Sequence, residues 1–357
     1  MSLTAPPGQT TDDSEMALAF AYAMMDSKNP KELDEDLIFY YYGVWMKSHP
    51  LDAGKTTINA LNYFDFEKNT YGSVGDFEKV RESIKKVNAN SLSNAFLMRL
   101  STFIVWYYYR NKQTIVDVFK SKDKAQYVEL YKSIKSTVKI DNRITHPNPE
   151  VFSVSAVYVF IALSAMCDYN PSSILQQVTT LISDEVFDGE HDCQIKDIIE
   201  GYLDMFSKTP LDQYKFFKSI TEKHVGCYTH EIKLLLFYLY FFDDITVMTN
   251  ENKFISVMYE ICNWGGDTDT NCAIVGCVLG AIVGYHNMGK YFDILVTFVP
   301  KKRYFYSTIM VYFYVNYLKE SQKKIESGVE DNAYQFRAFK DLMTIVNTKM
   351  GVTYIKK

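Results

Sequence analysis

Apolar residues recur at intervals of three and four along most of this 357-residue chain. That spacing places side chains on one face of an α-helix, whereas the strict alternation that is typical of half-buried strands is scarce. Two such helical faces consist of Leu33, Leu37, Tyr41, Val44 and Trp45, and of Phe77, Val80, Ile84 and Val87. The pattern therefore predicts an all-α fold.

Helix-breaking residues separate these periodic segments, and several of them offer a side chain that can cap the next helix. They occur at residues 29–30, 49–50, 146–149, 170–171 and 209–210, each of which includes a proline. Roughly a dozen helices joined by short loops fit these positions. Since no stretch of Pro, Gly and Ser is long enough to be a linker, a single domain is the simpler interpretation.

Composition and charge allow a large core and argue against nucleic acid as a partner. Hydrophobic residues make up 47% of the chain and charged residues 23%, as is ordinary for a globular protein. The net charge is −5, and acidic and basic residues are interspersed. Because no basic groove accompanies the 28 Tyr and 24 Phe residues, we expect these aromatic rings to pack helices together and not to stack on bases.

The cysteines indicate the cellular compartment that we expect for the protein, and the apolar stretches indicate whether we expect it to cross a membrane. The chain opens without a secretory signal, and its cysteines lack the paired spacing of metal ligands. Reduced, mostly packed thiols in an intracellular, cytoplasmic protein are expected. The stretches 151–167 and 234–242 fall short of a convincing membrane span and are interrupted by hydroxyl or aromatic residues, so we predict buried helices there and no membrane partner. The six cysteines are Cys167, Cys193, Cys227, Cys262, Cys272 and Cys277.

The first candidate for chemistry is the polar run Thr-Asp-Asp-Ser-Glu at residues 11–15, directly before the apolar segment 16–25. Its side chains are a dense set of oxygen donors. The same residues also suit a helix start, because threonine is a good N-cap and acidic residues in the first turn complement the helix dipole. Taken alone, this run is better explained as a helix cap than as a metal site.

The second candidate is the run Gly-Gly-Asp-Thr-Asp-Thr at residues 265–270, which is more specific. Its paired glycines permit a backbone path closed to other residues, and Asp267 and Asp269 can direct their carboxylates to one centre, to which Thr270 adds a hydroxyl. Such oxygen donors favour magnesium, manganese or calcium. A glycine turn followed by an acidic helix start explains the run equally well when it is taken alone.

Glycine recurs at every fourth position of the apolar run that follows, at Gly276, Gly280 and Gly284. Glycine costs a helix roughly 1 kcal/mol per position relative to alanine. Three of them on one face therefore predict a neighbouring helix that packs closely.

Several segments together resemble the ADP-ribosylglycohydrolase family. Residues 8–19 and 265–270 are similar to the two metal-binding motifs of that family. Between them, residues 52–57 resemble its Asp-x-Gly-x-Thr-Thr segment, residues 94–99 its Asn-Gly-x-x-Met-Arg segment, and residues 145–147 its Thr-His-Pro. The likeness spans about residues 8 to 295, and the occurrence of these motifs in order is more specific than any one of them.

The resemblance implies an all-α, single-domain orthogonal bundle around a cleft that binds two magnesium or manganese ions. It implies ADP-ribose or an ADP-ribosylated protein as the partner, and metal ligands at Thr11, Asp12, Asp13, Asp267, Asp269 and Thr270. Asp12 and Asp13 are the candidate catalytic residues, since one aspartate can accept a proton. Candidates for substrate binding are Asn94, His146, Tyr228 and Gly266. Without the family, a loop or capping role beside Pro147 is the better interpretation of His146.

The sequence departs from the family pattern in two places. The helix with an acidic residue that usually precedes the first metal motif is missing, which weighs against full activity. Ala95 and Phe96 replace small residues, so that Phe96 is expected to narrow the cleft. We also expect a short tail at residues 1–7, the family domain at residues 8–300, and a helical extension packed on it at residues 301–357.

Three functions follow from these features. The first is magnesium-dependent hydrolysis of an ADP-ribose linkage on protein arginine or serine, or on a small molecule. The second is a catalytically impaired family member that binds ADP-ribose or acts as a structural or interaction protein, which the two departures favour. The third is a metal-dependent hydrolase of another nucleotide-like substrate.

Overall fold

The computed structural model describes residues 10–29, 31–48, 50–62, 74–184, 187, 191–209, 226–245 and 252–284, with only the backbone at 74–77. The tail at 1–7 and the extension at 301–357 lie outside these residues. Within them the chain forms fourteen α-helices and no strand, so the all-α prediction is confirmed. The helices are α1 (Asp12–Asp26), α2 (Glu35–Lys47), α3 (Lys55–Leu61), α4 (Val74–Asn88), α5 (Ala95–Met98), α6 (Leu100–Arg110), α7 (Lys112–Ser121), α8 (Lys124–Asn142), α9 (Pro149–Cys167), α10 (Pro171–Ile182), α11 (Asp192–Lys208), α12 (Tyr228–Tyr240), α13 (Lys253–Trp264) and α14 (Thr268–Val283).

Two predicted breaks act as helix starts with side-chain caps. Asn148 accepts a hydrogen bond from the backbone N–H of Glu150 at 3.0 Å, and Asn170 accepts one from Ser173 at 3.0 Å. Each asparagine precedes a proline at the first helical position, where the missing N–H costs nothing. The breaks at residues 146–149 and 170–171 are therefore confirmed.

Helix α9 is the centre of the fold and packs against seven of the other helices, namely α5, α6, α7, α8, α10, α11 and α14. By length and composition alone its 19 residues are apolar enough to cross a membrane, contrary to our expectation that this stretch falls short. Every residue from Val151 to Ala165 is nevertheless buried against the rest of the domain. A core helix can have the same length and apolar composition as a membrane span, so the burial of α9 explains it best as a core helix.

The predicted face of α4 is only partly right. Ile84 is buried as expected, but Val87 is 48% exposed and the neighbouring Asn88 is buried in its place. The Asn88 amide donates to the carbonyl oxygens of Thr56 at 2.8 Å and Thr145 at 2.9 Å. These two bonds, one to the first turn of α3 and one to the loop before α9, determine which side of the helix end faces inward.

A buried ion pair holds the start of α6 against the end of α8. The guanidinium of Arg99 donates to Asp141 at 3.0 Å, and the Tyr42 hydroxyl donates to the other carboxylate oxygen at 2.6 Å. Arg99 also donates to the hydroxyl of Thr145 at 2.8 Å. The pair therefore fixes the loop that carries His146.

Helices α13 and α14 pack closely, as the glycine pattern predicts, and Gly276 is the point of contact. A Cβ atom at Gly276 would lie 3.3 Å from the Met258 sulfur and 3.9 Å from the Phe254 ring. Gly284 has another role: it follows the last residue of α14 with a φ of +74°, which ends the helix. The short loop between these helices carries the second acidic motif.

Candidate active site

The first turns of α1 and α14 bring the two acidic motifs together. The hydroxyl of Thr270 lies close enough to the carboxyl groups of both Asp13 and Asp267 to act against the increase in pKa that burial causes in each. Asp269 lies close enough for its charge to raise the pKa of Asp12, Asp13 and Asp267. The six residues proposed as metal ligands thus form one group, which we call the acidic cluster: Thr11, Asp12, Asp13, Asp267, Asp269 and Thr270.

Helix capping does not account for the side chains of this cluster. Thr11 and Asp267 occupy the N-cap positions of α1 and α14, yet neither side chain caps its helix with a hydrogen bond. Thr11 instead donates to a carboxylate oxygen of Asp13 at 2.8 Å. Asp267 accepts from the side-chain amide of Asn94 at 2.7 Å. Both side chains serve contacts within the site.

Burial opposes ionisation of the two aspartates on α1. Burial first, and then the charges of Asp13, Asp52 and Asp269, raise the pKa of Asp12 to about 7. Burial likewise raises the pKa of Asp13 to about 6, although the hydrogen bond from Thr11 acts in the opposite direction. A nearby positive charge would favour the ionised form of both groups.

The donor set fits a hard divalent cation. All of its ligand atoms are oxygens, and the Oδ1 atom of Asp13 is buried without a hydrogen-bond partner. Across the described ranges, no three or more His, Cys, Asp or Glu side chains lie close enough together to hold a metal ion as they stand. Magnesium commonly keeps several waters and uses only one or two carboxylates, so a looser arrangement of this kind is compatible with it.

Asn94 links the acidic cluster to a second buried acid, Glu231 of α12. Its amide nitrogen donates to Glu231 at 2.9 Å as well as to Asp267. Glu231 is 1% exposed, and its Oε2 atom has no hydrogen-bond partner. Burial raises the pKa of Glu231 to about 8, against the effect of the bond from Asn94. Sequence reasoning missed Glu231, because an acid in the first turn of a helix is readily explained by its effect on the helix dipole.

Three further residues at the site were not among the predicted site residues. Asp52 lies near enough to Asp12 to raise its pKa, and the backbone of Gly54 forms a hydrogen bond with the Asp12 carboxyl. Gly226 has a φ of +83°, and a Cβ atom there would lie 3.7 Å from Asn94 and 3.8 Å from Asp267. Since both distances are ordinary contacts, it is the backbone angle that favours glycine at this position.

His146 lies behind the site, fully buried. Its Nε2 atom is 2.7 Å from the Ser93 hydroxyl, and its Nδ1 atom is 2.8 Å from the Thr145 hydroxyl. Burial, followed by the charge of Arg99, lowers the pKa of His146 well below its ordinary value. The neutral ring therefore supports the segment that carries Asn94, through its neighbour Ser93.

Two aromatic residues also belong to the core behind the site. Tyr228 is 1% exposed and donates its hydroxyl to Glu150. Phe96 is fully buried, with its ring centre 5.3 Å from that of His146 and 6.2 Å from that of Tyr228. Phe96 therefore fills the core and does not project into a cleft, contrary to expectation.

Gly266 lies in the open part of the site. It is exposed, has a φ of +81° and directly precedes Asp267. Of the four predicted substrate-binding residues, Gly266 and the buried Asn94 adjoin the acidic cluster, whereas His146 and Tyr228 are buried behind it. Their contacts with a substrate stay predictions.

The helical fold and the paired acidic motifs agree with the family comparison. The chain belongs to the ADP-ribosylglycohydrolase family, whose sequence profile matches residues 1–290. A protein of Acanthamoeba polyphaga mimivirus, named "Putative ADP-ribosyl glycohydrolase", is 27% identical over 281 residues, which is 79% of this chain and 72% of the viral protein. The chain is accordingly a glycosyl hydrolase of the class that acts on ADP-ribose.

Proposed function

We propose that this chain is a magnesium-dependent hydrolase that cleaves the glycosidic linkage between ADP-ribose and a protein side chain or small molecule. The observation that carries the proposal is the position of Thr270, whose hydroxyl lies close to the carboxyl groups of Asp13 of α1 and of Asp267 in the loop before α14. This contact joins oxygen donors from distant parts of the chain into one cluster. Burial and mutual repulsion of the carboxyl groups give that cluster a need for positive charge.

Two divalent ions, magnesium or alternatively manganese, fit the six residues of the acidic cluster. Bound there, they would act as Lewis acids toward oxygen atoms of the ribose and offset the four carboxylates. Asp12 and Asp13 are the proposed catalytic carboxylates, one of which takes the proton of the water that attacks the anomeric carbon. Asn94 and Gly266 are proposed to contact the substrate, since both adjoin Asp267.

The buried residues behind the site have a supporting role in this proposal. His146 contacts Ser93, and Tyr228 contacts Glu150, so both act on the wall of the site from the protein interior. We assign them to positioning and not to direct contact with the substrate.

Release of ADP-ribose from mono-ADP-ribosylated arginine and serine peptides tests the proposed activity. With magnesium we expect release from at least one peptide, and with a chelator we expect none. If neither peptide releases ADP-ribose although the protein binds magnesium, the impaired, binding-only family member becomes the better explanation.

Metal titration tests the assignment of the ligands. Asp267→Asn and Asp269→Asn should each weaken magnesium binding by about tenfold or more, since even residues that only support metal ligands often contribute that much. Asp204→Asn is the matched control, because its side chain is 61% exposed on α11 and pairs with Lys208. Unchanged magnesium affinity in both Asp267→Asn and Asp269→Asn would show that the ligands lie elsewhere.

A further inference from the structure

Two thiols meet where α13 and α14 flank the second acidic motif. The sulfur atoms of Cys262 and Cys272 are 3.8 Å apart, and both residues are free thiols. Cys262 is exposed near the end of α13, whereas Cys272 is half-buried in α14. One thiol is therefore open to a reagent in solution, and the other lies in contact with it.

The packing of the two helices keeps the thiols in register. The Cys272 sulfur lies 3.9 Å from the carbonyl oxygen of Met258, one turn before Cys262. Gly276, one turn after Cys272, allows the Met258 side chain to approach closely. Since a disulfide bond is about 2.05 Å long, the sulfurs need to move together by less than about 2 Å.

Residues 262 and 272 enclose the loop of the acidic cluster. Between them lie Gly265 and Gly266, with positive φ angles, and the three cluster residues Asp267, Asp269 and Thr270. A bond between the two sulfurs would close a segment of eleven residues, 262–272, around this half of the cluster. Its main effect would therefore be on the loop that holds Asp267 and Asp269.

We propose that Cys262 and Cys272 form a reversible disulfide when a hydroperoxide oxidises Cys262, and that this bond weakens magnesium binding by the acidic cluster. The proposed disulfide is supported by the geometry of the two thiols alone. Its effect on magnesium rests on the proposed function, and the two parts are measured separately.

The chemistry requires one equivalent of peroxide. The Cys262 thiolate attacks a peroxide oxygen, so that an S–O bond forms, the O–O bond breaks, and the leaving hydroxide is protonated to water. The sulfur of Cys272 then attacks the sulfenic sulfur of Cys262. The S–S bond forms, the S–O bond breaks, and hydroxide leaves with the Cys272 proton as a second water. Both thiols together lose two electrons, which reduce the peroxide.

Mass spectrometry of the full chain after treatment with hydrogen peroxide tests the disulfide. We expect the loss of two hydrogens and of two titratable thiols, both reversed by dithiothreitol. Cleavage before Asp267 and Asp269 separates the cysteines, so the linked peptides identify the pair. Cys262→Ser and Cys272→Ser should abolish the change. Cys277→Ser, the matched control on the same helix, should retain it, because the Cys277 thiol instead lies beside Tyr158.

Oxidation of Cys262 to sulfinic acid without a disulfide, or a disulfide that persists in Cys272→Ser, would overturn the pairing.

Magnesium titrations of the reduced and oxidised protein test the coupling between the disulfide and metal binding. We expect about fivefold or greater weakening after oxidation, and by linkage magnesium should disfavour the disulfide in a glutathione buffer by the same factor. Equal affinity of both forms would refute the coupling, whereas absence of magnesium binding in the reduced form would refute the proposed function and the coupling with it.

Discussion

Replacing Glu231 by glutamine should make the protein more stable at neutral pH. Glu231 is 1% exposed, one of its oxygens has no partner, and burial raises its pKa from 4.5 to about 8. Glutamine has nearly the same shape and keeps an oxygen acceptor for the Asn94 amide. It removes the ionisable group whose charged form the protein interior disfavours.

The size of the effect follows from the two pKa values. Between pH 4.5 and 8 the carboxyl is ionised in the unfolded chain but protonated when buried. Each pH unit in that window costs about 1.4 kcal/mol, so the folded state loses about 3 kcal/mol at pH 7 relative to pH 4. The contribution of Glu231 is thus fully present below pH 4.5 and lost as the pH rises to 8. Glu231→Gln should match the wild type near pH 4 and exceed it by about 3 kcal/mol at pH 7.

Urea unfolding without metal, followed by the fluorescence of the three tryptophans, measures this difference at several pH values. Comparison of variant and wild type at each pH largely cancels the contributions of the other titrating groups. Glu129→Gln is the control, since the Glu129 side chain is 74% exposed and should change stability very little. Parallel stability curves for Glu231→Gln and the wild type would mean that Glu231 is ionised in the folded state, and the reasoning would fail.

Two further predictions concern the metal site and the buried ion pair. Carboxylate ligands bind metal in their deprotonated form, and burial raises the pKa of Asp12 to about 7 and of Asp13 to about 6. Magnesium affinity should therefore rise between pH 5.5 and 7.5, by up to about tenfold per pH unit for each proton displaced. A calorimetric titration that finds no pH dependence would contradict this. Arg99→Met should destabilise the fold by about 3 to 5 kcal/mol in urea unfolding, because it leaves Asp141 buried without its cation. The double variant Arg99→Met with Asp141→Leu should lose less, and an equal or larger loss would show that the charge on Asp141 is not the cause.

Local patterns predicted the elements of this fold well, because helix periodicity and capping depend on residues close in sequence. Asn148 and Asn170 cap helices where their proline neighbours indicated. The orientation of α4 was harder to predict, since it depends on hydrogen bonds from Asn88 to the backbone carbonyl oxygens of Thr56 and Thr145. A pattern of apolar residues contains no information about such distant acceptors.

The acidic residues of the site were predictable because family motifs mark them, but their supporting partners were not. Glu231 sits in the first turn of α12, where an acid is common for its effect on the helix dipole. Its contact with Asn94 spans 137 residues of sequence, so only the folded chain reveals it. The burial of His146 depends likewise on the positions of Ser93 and Thr145 around it.

The acidic cluster joins the first and the last of the described helices, α1 and α14. A ribosome makes Asp12 and Asp13 long before it makes Asp267 and Asp269. Until α14 docks on α1, the side of these two acids that faces α14 stays open to water and the charge of Asp269 is absent, so less opposes their ionisation than in the complete fold. A stalled or clipped product that ends before α14 has only half the cluster, so an incomplete chain would be inert whatever the rest of it has folded into.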